Sequence, residues 1–196
     1  SGGWDDKLFA YGFHDGVLSK ASEIIVHKKA KKDEPSWHMG GIAFDAKDEF
    51  AYVAAQYGNR LVRVAMEDKD STITTVCAFK DDHAYPYKVV LGPKGKRAWV
   101  SLWGKSAVAD VDLATGNFSL VQTDPHPNDM VLQRDGSRLF VACGNTNAVN
   151  VIDTKTKKVI EKLDGALFPN ALEGSTPNAL ALDAKGKMLL VANADN

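Results

Sequence analysis

The sequence predicts an all-β fold, a β-propeller of four-stranded antiparallel blades, from three observations. One turn-plus-strand pattern recurs four times along the 196 residues. Its copies are spaced by the length of one blade, and each alternates apolar and polar residues with period two rather than 3.6. The copies are FDAKDEFAYVAAQYGNRLVRV, LGPKGKRAWVSLWGKSAVADV, LQRDGSRLFVACGNTNAVNVID and LDAKGKMLLVANADN. Their anchor valines, Val53, Val100, Val141 and Val191, stand 47, 41 and 50 residues apart. A helical solenoid needs a period near 3.6 that these segments lack.

The third copy shows how each unit divides. Strand A is expected over 129–133, strand B over 138–142, strand C over 148–153 and strand D over 158–163. Arg134-Asp135-Gly136-Ser137, Gly144-Asn145-Thr146-Asn147 and Thr154-Lys155-Thr156-Lys157 supply the turns between them. The Asp-Gly and Lys-Gly pairs sit where a hairpin needs a positive φ, which glycine adopts without steric cost. Leu139, Val141, Val149, Val151, Ile160 and Leu163 are the expected core between blades. Gly40-Gly41 and Gly92-Pro93 read as turn signals, and no segment reads as a helix.

At the ends, 8–13 and 21–26, joined by His14-Asp15-Gly16, read as strands C and D without A and B. Conversely, 178–183 and 187–193 read as A and B without C and D. The chain therefore holds about four blade equivalents: half blade 1–30, blades 38–80, 86–122 and 127–163, and half blade 177–196. Three arrangements fit: the halves close a four-bladed ring, two chains share a larger ring, or the segment belongs to a longer propeller. The third is expected, because nothing marks either terminus as a cap and a half blade leaves strand edges open.

Composition narrows the function classes. Hydrophobic residues make up 44% and charged residues 25%, enough to bury a core, and the net charge of −1 with interspersed signs argues against nucleic acid. No apolar run reaches membrane-spanning length. Lys28-Lys29-Ala30-Lys31-Lys32, followed by Asp33-Glu34-Pro35, reads as a solvated loop. Cys77 and Cys143 fall in different blades and are expected as free thiols.

The units GKRAWVSLWG, GSRLFVACGNTNAVNVID and GKMLLVANADN resemble the YVTN-type β-propeller repeat over nearly the whole chain. The chain is most similar to the propeller part of bacterial two-domain proteins that join such a propeller to an alkaline-phosphatase-like domain. HPNDMVLQRDGSRLFVACGNTNAVNVIDTKTKKVIEKL and LFPNALEGSTPNALALDAKGKMLLVANADN carry that likeness. The resemblance implies a seven-bladed parent propeller, export to the periplasm or the extracellular space, and a hydrolytic metal site in the other domain. The first full unit departs from the pattern: Lys47-Asp48-Glu49 replaces the Asp-Gly turn, and Val64-Ala65-Met66 replaces the Val-Ile-Asp strand end.

The D-to-A and B-to-C connections of a propeller gather on one face around the central channel, where binding sites usually lie. That face should carry His38, Tyr57, His83, Tyr85, Tyr87, Trp103, His126, Asn128, Asp129, Asn178 and Trp4. Such residues suit a small molecule or a protein partner, while each also suits gap-filling between blades or a solvated loop. Pro127-Asn128-Asp129 and Pro177-Asn178-Ala179 recur where strand A begins. Asn128, Asp129 and Asn178 are calcium candidates of the lactonase-propeller kind, but three oxygen donors fall short of the six or more that a hard cation takes. Asp81-Asp82-His83 and the pair His126, Asp129 complete no zinc or acid-base set. No nucleophile elbow, phosphate loop or dinucleotide fingerprint occurs. The reading is a non-catalytic binding or scaffolding platform without a cofactor, possible partner of an attached hydrolase domain. A lactonase-type hydrolase and self-assembly through open blade edges are the alternatives.

Overall fold

The computed structural model describes residues 3–66, 71–80, 83–166, 168 and 172–194. Among the described residues sixteen strands follow one another, most of them joined by short turns. β1 (Lys7–His14) and β2 (Val17–Ile25) form a first hairpin. Blade I comprises β3 (Met39–Phe44), β4 (Phe50–Ala55), β5 (Arg60–Ala65) and β6 (Ile73–Ala78). Blade II comprises β7 (Pro86–Leu91), β8 (Arg97–Leu102), β9 (Ala107–Asp112) and β10 (Phe118–Gln122). Blade III comprises β11 (Pro127–Leu132), β12 (Arg138–Cys143), β13 (Ala148–Asp153) and β14 (Lys158–Asp164). β15 (Pro177–Leu182) and β16 (Leu189–Asn193) form a last hairpin. Each blade is an antiparallel meander, and the two hairpins are separate two-stranded sheets. Among the described residues the only helical turns are single 3-10 turns at Gly3–Asp5 and Trp103–Lys105. No described helix is long and apolar enough to cross a membrane.

The innermost strands β3, β7, β11 and β15 stand side by side about the axis, so core forms between successive blades. One layer joins blade I to blade II through Tyr52, Leu61, Val89, Val100 and Ala109. Another joins blade II to blade III through Trp99, Val108, Met130, Leu139 and Ile152. A third seats the first hairpin on blade I through Leu8, Ile24, Val53 and Val62. The four anchor valines sit mid-strand in β4, β8, β12 and β16. The residue before each, Tyr52, Trp99, Phe140 and Leu190, lies on the opposite side of its sheet by strand alternation.

Several expected boundaries shift for physical reasons. Strand A begins at Met39, Pro86, Pro127 and Pro177 and carries an irregularity in register just after its first residue in all four units. The expected starts at 129 and 178 therefore fall late, because proline at the first strand residue needs no ladder N–H. β2 begins at Val17 rather than at 21, since Asp15 and Gly16, at φ 48° and 78°, make a two-residue turn by themselves. Gly40 and Gly41 are not a turn. They lie in β3, where a Cβ on Gly41 would sit 2.9 Å from Lys88 Cα and from the Tyr87 carbonyl oxygen. Ile160 is 51% exposed rather than core. A register shift at Val151/Ile152 turns its neighbour Val159 inward instead.

Candidate functional site

The channel-side end of every unit is built on residues held at positive φ. His38, Tyr85, His126 and Thr176, each directly before strand A, have φ of 52°, 47°, 55° and 49°. Such conformations cost a non-glycine residue on the order of 1 kcal/mol and persist where neighbouring contacts hold them. The contacts repeat with the blades. The carbonyls of His38, Tyr85, His126 and Thr176 accept hydrogen bonds from the N–H groups of Gln56, Trp103, Gly144 and Ala194 at 2.9–3.1 Å.

A second repeated device ties three of the units to the next. The residue before strand C is polar in every unit that has one: Asp6, Asn59, Ser106 and Asn147. Asp6 Oδ1 accepts from the Ser36 hydroxyl and from His38 N–H (3.0 Å). Asn59 Oδ1 accepts from Tyr85 N–H (3.1 Å). Asn147 Oδ1 accepts from the N–H groups of Gly174 and Ser175 and from the Ser175 hydroxyl. These latches set the backbone that carries His38 and Tyr85. Burial acts to raise the pKa of Asp6, and hydrogen bonds from Ser36, His27 and the backbone more than reverse it, holding its carboxyl below the ordinary value. Beside Asp6, His27 reaches Asp6 Oδ2 at 2.9 Å and Glu34 Oε1 at 3.2 Å, and its ring stacks on Trp37 at 4.0 Å. The Arg60 guanidinium lies 4.0 Å from the Trp37 ring. Much of the basic segment 28–33 that follows is exposed, in keeping with a solvated loop.

On this scaffold the rings form one arc across the units. Trp4 stacks on Tyr57 with centroids 5.9 Å apart and meets His38 edge-on at 5.1 Å. His38 and Tyr57 are 5.6 Å apart, Tyr57 and Tyr85 5.5 Å, and Tyr85 and Trp103 6.4 Å. Trp103 then reaches the His126 ring at 4.0 Å. His83 joins Tyr85 from the side at 5.9 Å. The arc is open to solvent: Trp4 is 68% exposed, Tyr57 49%, Tyr87 44% and Trp103 38%. Gln56, Tyr57, Tyr85, Tyr87 and Trp103 line a concavity of about 380 Å³. His38 Nδ1 donates to Gln56 Oε1 at 2.8 Å, which orients the imidazole. His126 Nδ1 is buried without a hydrogen-bond partner among the described residues. Gly104 keeps the loop close, since a Cβ there would collide with the His83 carbonyl oxygen.

Thus Trp4, His38, Tyr57, His83, Tyr85, Tyr87, Trp103 and His126 come together. Two of the calcium candidates are engaged within the fold. Asn128 is buried, its Nδ2 donates to the Pro177 carbonyl at 3.1 Å, and its Oδ1 accepts from Asp129 N–H at 2.6 Å. The Asp129 carboxylate is taken up by Lys88 Nζ at 2.9 Å and Leu180 N–H at 2.8 Å. These two residues clasp blade III to its neighbours, while Asn178, at the matching place in the last hairpin, is exposed. Among the described residues no three His, Cys, Asp or Glu side chains group as metal ligands. Asp81 and Asp82 lie outside the described residues. Cys77 and Cys143 are buried free thiols, and burial pushes their pKa up to about 11 and about 12.

Sequence reasoning missed Asp6, Gln56, Asn59 and Asn147. The available signal was positional: an Asp, Asn or Ser directly ahead of strand C in each unit. It also missed Trp37, which follows the basic run and takes the place held by Ala84, Pro125 and Ser175 in the other units.

No protein-family profile matches the chain, and no curated protein matches it by sequence. Solved structures do match in shape. Virginiamycin B lyase from Staphylococcus aureus superposes with a TM-score of 0.72 at 17% identity, over 96% of this chain and 57% of that one. A 6-phosphogluconolactonase-like protein from Bacteroides uniformis gives 0.70 at 14% identity, over 96% and 58%. The β-propeller domain of Myceliophteria thermophila Cps50 (Swd1) gives 0.66 at 16% identity, over 90% and 53%. With the blade geometry above, these likenesses define the class: the chain has a β-propeller fold. It spans little more than half the length of these three neighbours.

Proposed function

We propose that the segment is a non-catalytic binding platform whose channel face holds a small molecule or a protein segment against the arc of rings from Trp4 to His126. The observation that carries this reading is the exposure of that arc: large rings held edge to face on strained, latched backbone, around a concavity, yet open to water. Exposed clusters of this kind mark contact surfaces, since a lone packing aromatic would be covered. The preferred ligand presents flat apolar faces, such as a sugar ring, an aromatic group or an aromatic or proline side chain. From the repeat resemblance we further propose that the parent protein is exported and that the platform serves an attached phosphatase-like hydrolase domain.

The test is a screen of such ligands by tryptophan fluorescence and calorimetry, repeated on Trp103→Ala and Tyr57→Ala. A hit weakened by either substitution supports the reading. Hits insensitive to both sink it.

A lactonase-type hydrolase is the second reading. The His126 imidazole beside Trp103 favours it: the ring stands at the channel end, and its Nδ1 lacks a hydrogen-bond partner among the described residues and would have to turn outward to meet a substrate. Turnover of lactones, with and without calcium, that falls in His126→Ala would move the assignment to an enzyme.

A further inference from the structure

We propose a second binding site on the face opposite the channel loops, in the groove between blades II and III, for a small ligand that joins an apolar ring or chain to an anionic group. A cavity of about 480 Å³ opens there. Pro93, Trp99 and Leu132 contribute apolar surface, and four cations, Lys94, Lys96, Arg97 and Lys157, stand against two carboxylates, Asp110 and Asp135. That volume suits a small organic ligand.

Two departures from the repeat converge on this groove. The first is Asp110, which pairs across the sheet with Trp99. The matching partners in blades I and III are Arg63 opposite Tyr52 and Val151 opposite Phe140. A carboxylate only 1% exposed therefore stands where its siblings place a cation or a valine. The second is Lys157, at φ 57° in the β13–β14 turn. Gly116 holds the same place in the β9–β10 turn at φ 73°, and the N–H of each closes its turn at 2.8 Å. A lysine is kept where the backbone favours glycine, and its Nζ reaches across the groove to 2.7 Å from Asp110 Oδ2. Arg97 Nε donates to Asp110 Oδ1 at 2.6 Å. Asp110 thus fixes one cation from each blade at the wall of the cavity. Breaks in a repeat that place a charge in a core and strain a turn are expected at functional positions.

The fixed pair leaves the cavity's positive excess at the rim. Lys94 and Lys96, on the β7–β8 turn, are exposed and have no ion-pair partner among the described residues. Arg97 is already committed, its Nη2 to the Asp110 carbonyl at 3.4 Å and its Nη1 to Asp112 Oδ2 at 3.8 Å. An anionic group would therefore lie between Lys94 and Lys96, with its apolar body over Pro93 and Leu132.

The probe is 1-naphthyl phosphate, titrated into the 15N-labelled chain, with 1-naphthol and inorganic phosphate as the two half-ligands. Lys94→Glu/Lys96→Glu is the variant, since both side chains are exposed and the fold should be untouched, which circular dichroism checks. The expected result is movement of the amides of 92–97 and 154–157, tighter binding than by either half-ligand, and affinity lower by about tenfold or more in the variant. Absence of binding at about 5 mM, shifts confined to the channel loops, or unaltered affinity in the variant would overturn the proposal.

Discussion

Substitution of Gly41 by alanine isolates how closely the propeller's inner strands approach. In an ordinary strand this change is favourable, because alanine has fewer unfolded conformations to lose, by about 0.4–1 kcal/mol. Here the added methyl would lie 2.9 Å from Lys88 Cα, 2.9 Å from the Tyr87 carbonyl oxygen and 3.2 Å from Val89 N. All three are backbone atoms of β7, so no rotamer change relieves the contact. β3 and β7 must separate, which loosens the layer of Tyr52, Leu61, Val89 and Val100 beneath them. Overpacking of this kind costs about 1–3 kcal/mol, and a gap of about 0.5–1 Å forfeits a quarter to a half of the dispersion at the contacts it opens. The net expectation is destabilisation by about 1–2 kcal/mol, or about 2–8 °C in Tm for a chain of this size. Urea unfolding followed by circular dichroism measures it. A midpoint that is unchanged or raised would refute the claim that blades I and II meet through backbone contact at this glycine.

Asn147→Ala removes the acceptor of the Gly174 and Ser175 N–H groups and should cost about 1–3 kcal/mol in urea unfolding, with Asn147→Asp recovering part of it. The carboxyls of Asp6 and Asp124 are held below the ordinary value: burial opposes this, and bonds to Ser36 and His27, and to Lys162 and Asn150, outweigh it. A depressed folded-state pKa gives stability that is present above the unfolded value and lost as pH falls through the folded one. The urea midpoint should therefore drop below about pH 4, less steeply in Asp6→Asn. With thiol pKa values of about 11 and about 12 and both sulfurs buried, Cys77 and Cys143 should resist a thiol reagent at pH 8 until urea unfolds the chain.

How much of this was legible follows from what each residue encodes. Blades were readable because Gly95, Gly136 and Gly186 mark the A–B turns at φ of 61–75° and the following strands alternate about a valine, buried in β8 and β12 and exposed in β16. Blade I kept its turn without the glycine, since Asp48 takes φ 58° in its place. The ring arc was foreseeable because His38, Tyr85 and His126 recur before strand A and Trp103 follows strand B. The role of Asn128 and Asp129 was not, since a strand-start Asn-Asp looks the same whether it faces a cation or clasps the next blade. Nor was the burial of Asp110, whose place in the alternating Ala107–Asp112 strand tells its sheet face but not what a neighbouring blade lays over it. Gly40 and Gly41 misread for the same reason: a close approach by β7 is invisible in local sequence.

The most direct test of the binding platform is the affinity of one ring-faced ligand for the wild-type chain against Tyr57→Ala/Trp103→Ala, both exposed positions. Stacking losses of about 1–3 kcal/mol per ring predict binding weakened by about tenfold or more at unchanged thermal stability. Equal affinity in the two proteins would place the function elsewhere and contradict the account.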